Sequence, residues 1–264
     1  MFAGSGNDVI DALAGDDCVD LDSGADRGKG GPGRDLVVGG AGPDRISGSS
    51  GNDRLRGNDG KDRLSGDRGN DRLAGESGND RIGGSSGRDQ LSGGAAKDSL
   101  SGGSSADVVR GDSGNDRVTG GTGNDRLTGG TGKDRLSGGR GKDRILAADK
   151  KRDRIRCGAG RDRVVADRTD RVARDCERVR RVGRRKKASR SASSSRAACP
   201  PCLRRRPPSN RGGTPGGSRL PRWHRDPPPA VAAMRLRHIL NSLSRCSGRG
   251  RSYPPISARR SGWS

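Results

Sequence analysis

The chain has 264 residues, of which 47 are glycine, and only 27% are hydrophobic. The single aromatic side chain before residue 183 is Phe2, so the composition excludes an ordinary globular domain with a three-dimensional apolar core. The formal net charge of +22 belongs to residues 183–264, where 20 basic residues stand against 1 acidic one, and it does not describe residues 1–146, which carry 21 basic and 24 acidic residues.

Aspartate recurs at every ninth residue along residues 1–146. The sixteen positions are Asp8, Asp17, Asp26, Asp35, Asp44, Asp53, Asp62, Asp71, Asp80, Asp89, Asp98, Asp107, Asp116, Asp125, Asp134 and Asp143. Two residues after each aspartate comes an aliphatic residue, with Gly28 as the exception. A helix would place residues nine apart on opposite faces, because nine residues make two and a half turns. Strict repetition at this period predicts a solenoid, whose units bury their apolar face only by stacking.

Each repeat divides into a turn and a strand. The six residues from the first glycine to the aspartate are turn formers, because glycine adopts positive φ without strain and Asn or Asp tolerates it. The next three residues, such as Arg126-Leu127-Thr128, alternate outward, inward and outward as a short strand does. Two repeats then close one coil of eighteen residues. The sequence therefore predicts an all-β solenoid in which Arg126 stacks on Arg144 and Arg135 lies in the opposite sheet.

The repeat does not bury enough apolar surface to fold without help. One aliphatic side chain contributes about 1.5–3 kcal/mol on burial, whereas ordering each of nine residues costs about 1–2 kcal/mol. Stacked coils would also bring aspartates together, and oxygen ligands on flexible loops suit Ca²⁺. We therefore expect several Ca²⁺ ions to supply much of the folding free energy. The alternative is a metal-free solenoid in which the aspartates serve only the turns.

The repeat pattern G-G-x-G-x-D-x-U-x resembles that of the RTX (haemolysin-type) calcium-binding proteins over residues 4–146, with degenerate copies to about residue 165. The resemblance implies a parallel β-roll with Ca²⁺ between successive turns, bound by aspartate carboxylates and backbone carbonyls of the glycine-rich loops. Carried over to this chain, the ligands would be the sixteen aspartates named above.

Two departures from the family pattern carry their own expectations. The family is usually acidic, but here the residue after the aspartate is arginine at ten of the sixteen positions, so we expect weaker calcium binding or pairing of these cations with the carboxylates. Leu21, Ala96 and Ser105 replace loop glycines. These replacements predict impaired sites at Asp17, Asp26, Asp98 and Asp107.

The repeat weakens after residue 146. Residues 147–182 keep some of the pattern, at Asp153 and Asp162, and are predicted to form degenerate repeats and a cap over the last coil. This segment resembles the closing segments that follow such repeats, and a disulfide between Cys157 and Cys176 would staple it; two unpaired thiols are the alternative. Residues 183–264 are rich in Arg, Pro, Ser and Gly, which predicts a disordered basic tail.

These features favour a secreted or cell-surface calcium-binding protein with a structural or adhesive role and an extracellular polyanion or surface partner. One alternative is a polyanion-binding protein that acts through the basic tail, although we do not expect a nucleic acid partner. Another is the C-terminal repeat fragment of a larger secreted enzyme or toxin. The chain itself is not expected to be an enzyme, because no histidine precedes His224. No apolar run approaches the roughly 18 residues of a membrane span, and no secretory signal is visible.

Overall fold

The computed structural model describes residues 1–183, so the predicted basic tail lies, apart from Gly183, outside the described residues. Within residues 1–183 every regular element is a strand. The twenty strands form two ten-stranded parallel sheets, and strands that are consecutive in the chain alternate between the two sheets. The predicted all-β parallel solenoid is confirmed. Among the described residues there is no helix that could span a membrane.

The two sheets are named here by the parity of their strands. The odd sheet contains β1 (Val9–Asp11), β3 (Arg27–Pro32), β5 (Arg45–Ser50), β7 (Arg63–Arg68), β9 (Arg81–Ser86), β11 (Ser99–Ser104), β13 (Arg117–Thr122), β15 (Arg135–Arg140), β17 (Arg154–Ala159) and β19 (Arg171–Val172). The even sheet contains β2 (Cys18–Asp20), β4 (Leu36–Ala41), β6 (Arg54–Asp59), β8 (Arg72–Ser77), β10 (Gln90–Ala95), β12 (Val108–Ser113), β14 (Arg126–Thr128), β16 (Arg144–Ala147), β18 (Arg163–Asp167) and β20 (Arg178–Val182).

The register of the sheets is eighteen residues. Arg126 pairs with Arg144 in the even sheet, whereas Arg135 pairs with Arg117 in the odd sheet. This confirms that two repeats, not one, close each coil.

Most strands are longer than predicted. The strand of a typical repeat has six residues, as in β6, and not the three that alternation of side chains indicated. Within β6, Asn58 already has a positive φ of 72°, so the second half of the element is a bend and not an extended strand. Because every coil bends at the same place, backbone groups of stacked bends still pair across coils, as Asn58 does with Gly40. The sequence pattern reports side-chain direction and therefore misses this pairing.

The core consists of the two inward rows of aliphatic residues. From Val19 to Val164 these side chains are at most 3% exposed, except where Gly28 interrupts the row. Leu21 comes from a different position of the repeat and is fully buried beside Gly28. One aliphatic residue per repeat is therefore enough to fill the interior of each coil.

The C-terminal coils absorb the change in spacing without losing register. Arg135 pairs with Arg154, nineteen residues on, so the extra residue is accommodated in the loop between β16 and β17. A disulfide joins Cys157 to Cys176 with a Cα–Cα distance of 5.1 Å, which confirms the predicted staple. The Arg181 guanidinium then donates to the backbone oxygens of Asp167 (2.6 Å) and Asp170 (3.1 Å) and ties β20 to the preceding turn.

Candidate metal sites

The repeat aspartates lie at the two edges of the roll, where each turn enters a strand. The residue after each aspartate begins the strand, and its backbone N–H bonds to the previous coil, as Arg54 N–H does to the Asp35 carbonyl oxygen at 2.8 Å. From Asp26 onward the repeat aspartates are at most 2% exposed, while Asp8 and Asp17 in the first coil are half-buried. A buried ionised carboxylate is costly unless it is hydrogen-bonded and its charge is compensated.

One oxygen of each carboxylate is used by the turn. The backbone N–H of Asp35 donates to Oδ1 of Asp53 at 2.9 Å, and the N–H of Asp53 donates to Oδ1 of Asp71 at 2.8 Å. The same bond recurs along both edges from each aspartate to the one eighteen residues later. This bond explains why a side-chain oxygen is needed in every repeat, but an asparagine could also supply it.

The other oxygen has no protein partner. Oδ2 is buried and accepts no hydrogen bond in a set that contains all sixteen predicted aspartates and two more. These residues are Asp8, Asp17, Asp26, Asp35, Asp44, Asp53, Asp62, Asp71, Asp80, Asp89, Asp98, Asp107, Asp116, Asp125, Asp134, Asp143, Asp153 and Asp162. Buried polar atoms in folded proteins nearly always have a partner. Two periodic rows of orphaned carboxylate oxygens therefore indicate a ligand that the protein does not supply itself.

The orphaned oxygen faces the glycine that precedes the aspartate by five residues. A Cβ atom on Gly39 would lie 2.5 Å from Oδ2 of Asp44 and 2.7 Å from the carbonyl oxygen of Gly57 in the next coil. At Gly39 two oxygens thus converge on a space that only glycine leaves open. We call the space beside Oδ2 that lacks a Cβ atom the glycine cradle. Thirteen glycines provide it, namely Gly30, Gly39, Gly48, Gly57, Gly66, Gly75, Gly84, Gly93, Gly102, Gly111, Gly120, Gly129 and Gly138. At ten of them a carbonyl oxygen of the next coil lies within 3 Å of the same point.

Side chains occupy the equivalent position in the end coils. By register these residues are Ala3, Ala12, Leu21, Ala147, Cys157 and Ala166. The aspartates of the first coils, Asp8, Asp17 and Asp26, therefore face a side chain and not a cradle. Of the four sites that the sequence predicted to be impaired, Asp98 and Asp107 have a cradle and Asp17 and Asp26 do not. The structure thus divides the sixteen predicted ligands into thirteen with a cradle and three without.

Burial raises the pKa of the repeat aspartates from Asp26 to Asp143. The pKa of Asp62 and of Asp71 rises to about 7, first because burial disfavours the charged form, and also because carboxylates of neighbouring coils repel them. The pKa of Asp35 and of Asp44 rises to about 6 for the same reasons. In every case the backbone N–H bond to Oδ1 acts in the opposite direction and lowers the pKa. Burial therefore favours a proton or a cation at these carboxylates more than at exposed ones.

The loops that lack a glycine keep a positive φ at that position, although a smaller one than the 121° to 155° of the glycines in other repeats. Ala96 and Ser105 both adopt a φ of 81°, in place of the glycine that other repeats have there. This conformation costs a non-glycine residue about 1–2 kcal/mol. The cradles at Gly93 and Gly102 nevertheless place Oδ2 of Asp98 and of Asp107 as in the other coils.

The basic residues beside the aspartates do not neutralise them. In residues 1–183 the ion pairs are Lys29–Asp11 at 3.4 Å and Arg34–Asp16 at 3.7 Å, and neither uses a repeat aspartate. The expected pairing of the flanking cations with the site carboxylates is therefore wrong. The arginine after each aspartate begins a strand with its side chain directed outward, whereas the carboxylate is directed inward.

Two aspartates of the degenerate repeats share the buried position. Asp153 and Asp162 accept the N–H bonds of Asp134 and Asp143 at 2.8 Å, and their Oδ2 atoms are also orphaned. The signal for them in the sequence is an aspartate followed by Arg and an aliphatic residue, as in intact repeats. Asp170 ends the odd row, because its two oxygens accept the N–H groups of Asp153 and Asp167.

A separate cluster brings together Cys157, Asp175 and Cys176. The two sulfur atoms are joined to each other, so they are not thiolate ligands, and Asp175 Oδ2 accepts the backbone N–H of Gly158 at 3.0 Å. This cluster is part of the staple of the last coils.

The comparison with protein families agrees with the geometry of the rows. The family model described as RTX calcium-binding nonapeptide repeat (4 copies) matches residues 1–27, 29–64, 56–91, 83–118 and 110–145. No curated protein matches the chain. The matched stretches cover more than half of the chain and contain all thirteen cradles. The chain therefore belongs to the family of proteins with RTX calcium-binding nonapeptide repeats, and its repeats are calcium-binding motifs.

Proposed function

We propose that calcium is bound in the thirteen glycine cradles. The ligands contributed by side chains would be Asp35, Asp44, Asp53, Asp62, Asp71, Asp80, Asp89, Asp98, Asp107, Asp116, Asp125, Asp134 and Asp143. The observation that carries the proposal is the pairing of an orphaned, buried Oδ2 with a glycine cradle. Carboxylate and carbonyl oxygens on loops are the donors that Ca²⁺ takes, and its variable coordination tolerates loops of differing sequence. Asp8, Asp17 and Asp26 would form no tight site, because a side chain stands where the cradle would be.

Calcium binding would also drive folding of the roll. Each repeat buries one aliphatic side chain, and each adds one carboxylate to a buried row. Without a bound cation, the buried carboxylates of that row are desolvated and repel one another unless they take up protons. A ligand that binds only the folded form stabilises it in proportion to the logarithm of its concentration, and in small metal-dependent domains binding and folding are one process.

The role that fits these properties is structural or adhesive, outside the cell. Proteins with RTX repeats are generally secreted, and the Cys157–Cys176 disulfide is compatible with an oxidising compartment. Binding and not catalysis is the proposed activity of residues 1–183, which contain no histidine. The alternative role of the basic tail as a polyanion-binding arm concerns residues outside the described part of the chain.

Equilibrium dialysis of the full chain against ⁴⁵Ca²⁺ tests the proposal. We expect up to thirteen bound ions per chain. Asp62→Asn should remove at least one of them, because it takes away the orphaned oxygen. Asp59→Asn is the matched control, since Asp59 is exposed and three residues away. A wild-type chain that binds no calcium, or an equal loss in both variants, would contradict the assignment.

A further inference from the structure

The outer face of the odd sheet carries a column of arginines. In the odd-sheet strands from β3 to β19, the first residue points outward and is exposed. It is arginine in all of them except β11, which begins with Ser99. The column consists of Arg27, Arg45, Arg63, Arg81, Arg117, Arg135, Arg154 and Arg171. Consecutive members are register partners in neighbouring strands, as Arg117 and Arg135 are. We call this set the arginine column.

The geometry of the column is linear. Neighbouring strands of a sheet are about 4.8 Å apart, so the nine positions span roughly 38 Å parallel to the axis of the roll. Like charges at this spacing repel one another, and an anion placed along the line would relieve that repulsion.

The arginines of the column form no ion pair within the described residues, since none of them takes part in the two ion pairs of residues 1–183. The neighbouring outward column, two residues further along each strand, carries hydroxyl groups at Ser47, Ser65, Ser101, Thr119 and Ser137. Ser47 and Ser65 donate to the carboxylate of Asp67 at 2.6 Å, so the hydroxyls without such a bond are those of Ser101, Thr119 and Ser137. Five consecutive strands of the odd sheet, β9, β11, β13, β15 and β17, contain no acidic residue. The segment beyond residue 183 has 20 basic residues and 1 acidic residue, so its composition cannot supply the missing negative charge either.

A second basic line runs beside the column. A groove on the side of the turns is lined by Lys97, Lys133, Arg117, Arg135, Arg152 and Arg154. Asp116 and Asp134 lie in its floor, but they are only 1% exposed. Another groove follows the same side of the column towards the N-terminus, between Arg27 and Arg81, and includes Lys61. The grooves add basic side chains to those of the column, Lys61 in one and Lys97, Lys133 and Arg152 in the other, and an extended anionic chain lying there would meet these as well.

The even sheet lacks such a surface. Its corresponding column is interrupted in the middle by Gln90 and Val108. Five of its strands carry an acidic residue, namely Asp20, Asp59, Glu76, Asp112 and Asp167, whereas two strands of the odd sheet do, with Asp11 and Asp67. The same fold therefore presents one face with a line of arginines broken at Ser99 and one face with more mixed charge. Both faces are built from the same repeat. The difference in charge between them therefore comes from the residues at solvent-exposed positions.

We propose that the odd face binds a linear acidic polysaccharide laid along the axis of the roll. Guanidinium groups bind carboxylate and sulfate oxygens in bidentate fashion, and the hydroxyl column can bond to sugar hydroxyls. Single-stranded nucleic acid is disfavoured, because binding it usually uses aromatic stacking and Phe2 is the only aromatic residue of the described part. A double helix winds its phosphates away from a straight line, so it would meet only a few members of the column.

This proposal goes beyond calcium binding and needs calcium only to keep the roll folded. The test uses the full chain in millimolar Ca²⁺, with polygalacturonate as the carboxylated probe, dextran sulfate as the sulfated probe and neutral dextran as the blank. In the test variant Arg81, Arg117, Arg135 and Arg154 are changed to glutamine. In the control variant Arg54, Arg72, Arg126 and Arg144 of the even sheet are changed to glutamine. The change in net charge and the segment beyond residue 183 are identical in the two variants.

We expect the test variant to lose about tenfold or more in affinity for at least one acidic polysaccharide, because four surface contacts are removed, and the control variant to change less than about twofold. Circular dichroism verifies that both variants keep the strand signal of the wild type. Phenylglyoxal labelling of the wild-type chain with and without polymer needs no variant, and it should show protection of the arginine column but not of the even-sheet arginines.

Equal losses in the two variants, or protection confined to arginines beyond residue 183, would overturn the proposal. Tighter binding to duplex DNA or to phosphatidylglycerol vesicles than to either polysaccharide, at equal charge concentration, would overturn it as well. Failure of the calcium proposal is read separately, from the dialysis measurement, and does not alter the comparison of the two faces.

Discussion

Leu21 fills the space that Gly28 leaves in the core. A Cβ atom on Gly28 would lie 3.0 Å from Cδ1 of Leu21 and 3.1 Å from Cγ1 of Val37. Gly28 stands where the other repeats have an aliphatic residue, and Leu21 stands where thirteen of them have the cradle glycine. The two departures from the repeat therefore compensate each other, and the apolar row stays filled at the expense of one cradle.

Exchanging the two residues should restore the regular repeat. Leu21→Gly alone should lower the free energy of unfolding by about 2–5 kcal/mol, because it opens a cavity. Gly28→Leu alone should cost about 1–3 kcal/mol by overpacking against Leu21. The double variant should be close to the wild type, and the coupling measured by denaturant unfolding in saturating Ca²⁺ should be large. The double variant should also bind one more calcium ion, at Asp26; strictly additive losses would show that the two side chains do not share one space.

Gly83 and Gly84 are adjacent in the chain, but only Gly84 forms a cradle, so the pair distinguishes a cradle glycine from an ordinary one. A Cβ atom on Gly84 would meet Oδ2 of Asp89 and the carbonyl oxygen of Gly102, whereas one on Gly83 would meet nothing within 4 Å. Gly84→Ala should therefore remove one calcium ion and lower the melting temperature in Ca²⁺. Gly83→Ala should leave the stoichiometry unchanged and stabilise the roll slightly, by about 0.4–1 kcal/mol, because alanine restricts the unfolded chain. Equal stoichiometry in the two variants would mean that the metal does not use the cradle.

The raised pKa values of the aspartate rows predict opposite effects of pH with and without calcium. Burial raises the pKa of Asp107 and Asp116 to about 7 from an ordinary value of 3.8. Between these values the metal-free roll holds protons that the unfolded chain has released, so its stability decreases as pH rises through this window. In chelator, the strand signal in circular dichroism should be greater at pH 5 than at pH 8, where the chain is expected to be a coil. In Ca²⁺ the order should reverse, because protons compete with the metal for Oδ2. The same order in both conditions would contradict a role for these carboxylates in binding.

The nine-residue period was enough to predict most of the fold. The details of the metal sites depend on side-chain contacts that the period does not show. The recurrence of aspartate at every ninth residue was enough to predict that Arg126 pairs with Arg144, because register follows from the number of residues per coil. The pattern could not show that Oδ1 and Oδ2 of each aspartate have different environments, since both belong to one residue. The replacement of a loop glycine by Leu21 was visible in the sequence and predicted an impaired site at Asp26, whereas Asp35 has Gly30 at the same position. The pattern could not show where a Cβ atom at that position would point, which is towards Oδ2 of the aspartate.

The central claim is that calcium compensates two buried rows of carboxylates and so allows the roll to form. Far-ultraviolet circular dichroism of the full chain at pH 7.5, first in chelator and then during titration with Ca²⁺ or Mg²⁺, tests it most directly. We predict a coil spectrum in chelator, a cooperative change to a strand spectrum in millimolar Ca²⁺, and no comparable change with Mg²⁺, which demands a more rigid octahedral site. A full strand spectrum in chelator that Ca²⁺ neither changes nor stabilises against heating would contradict the claim.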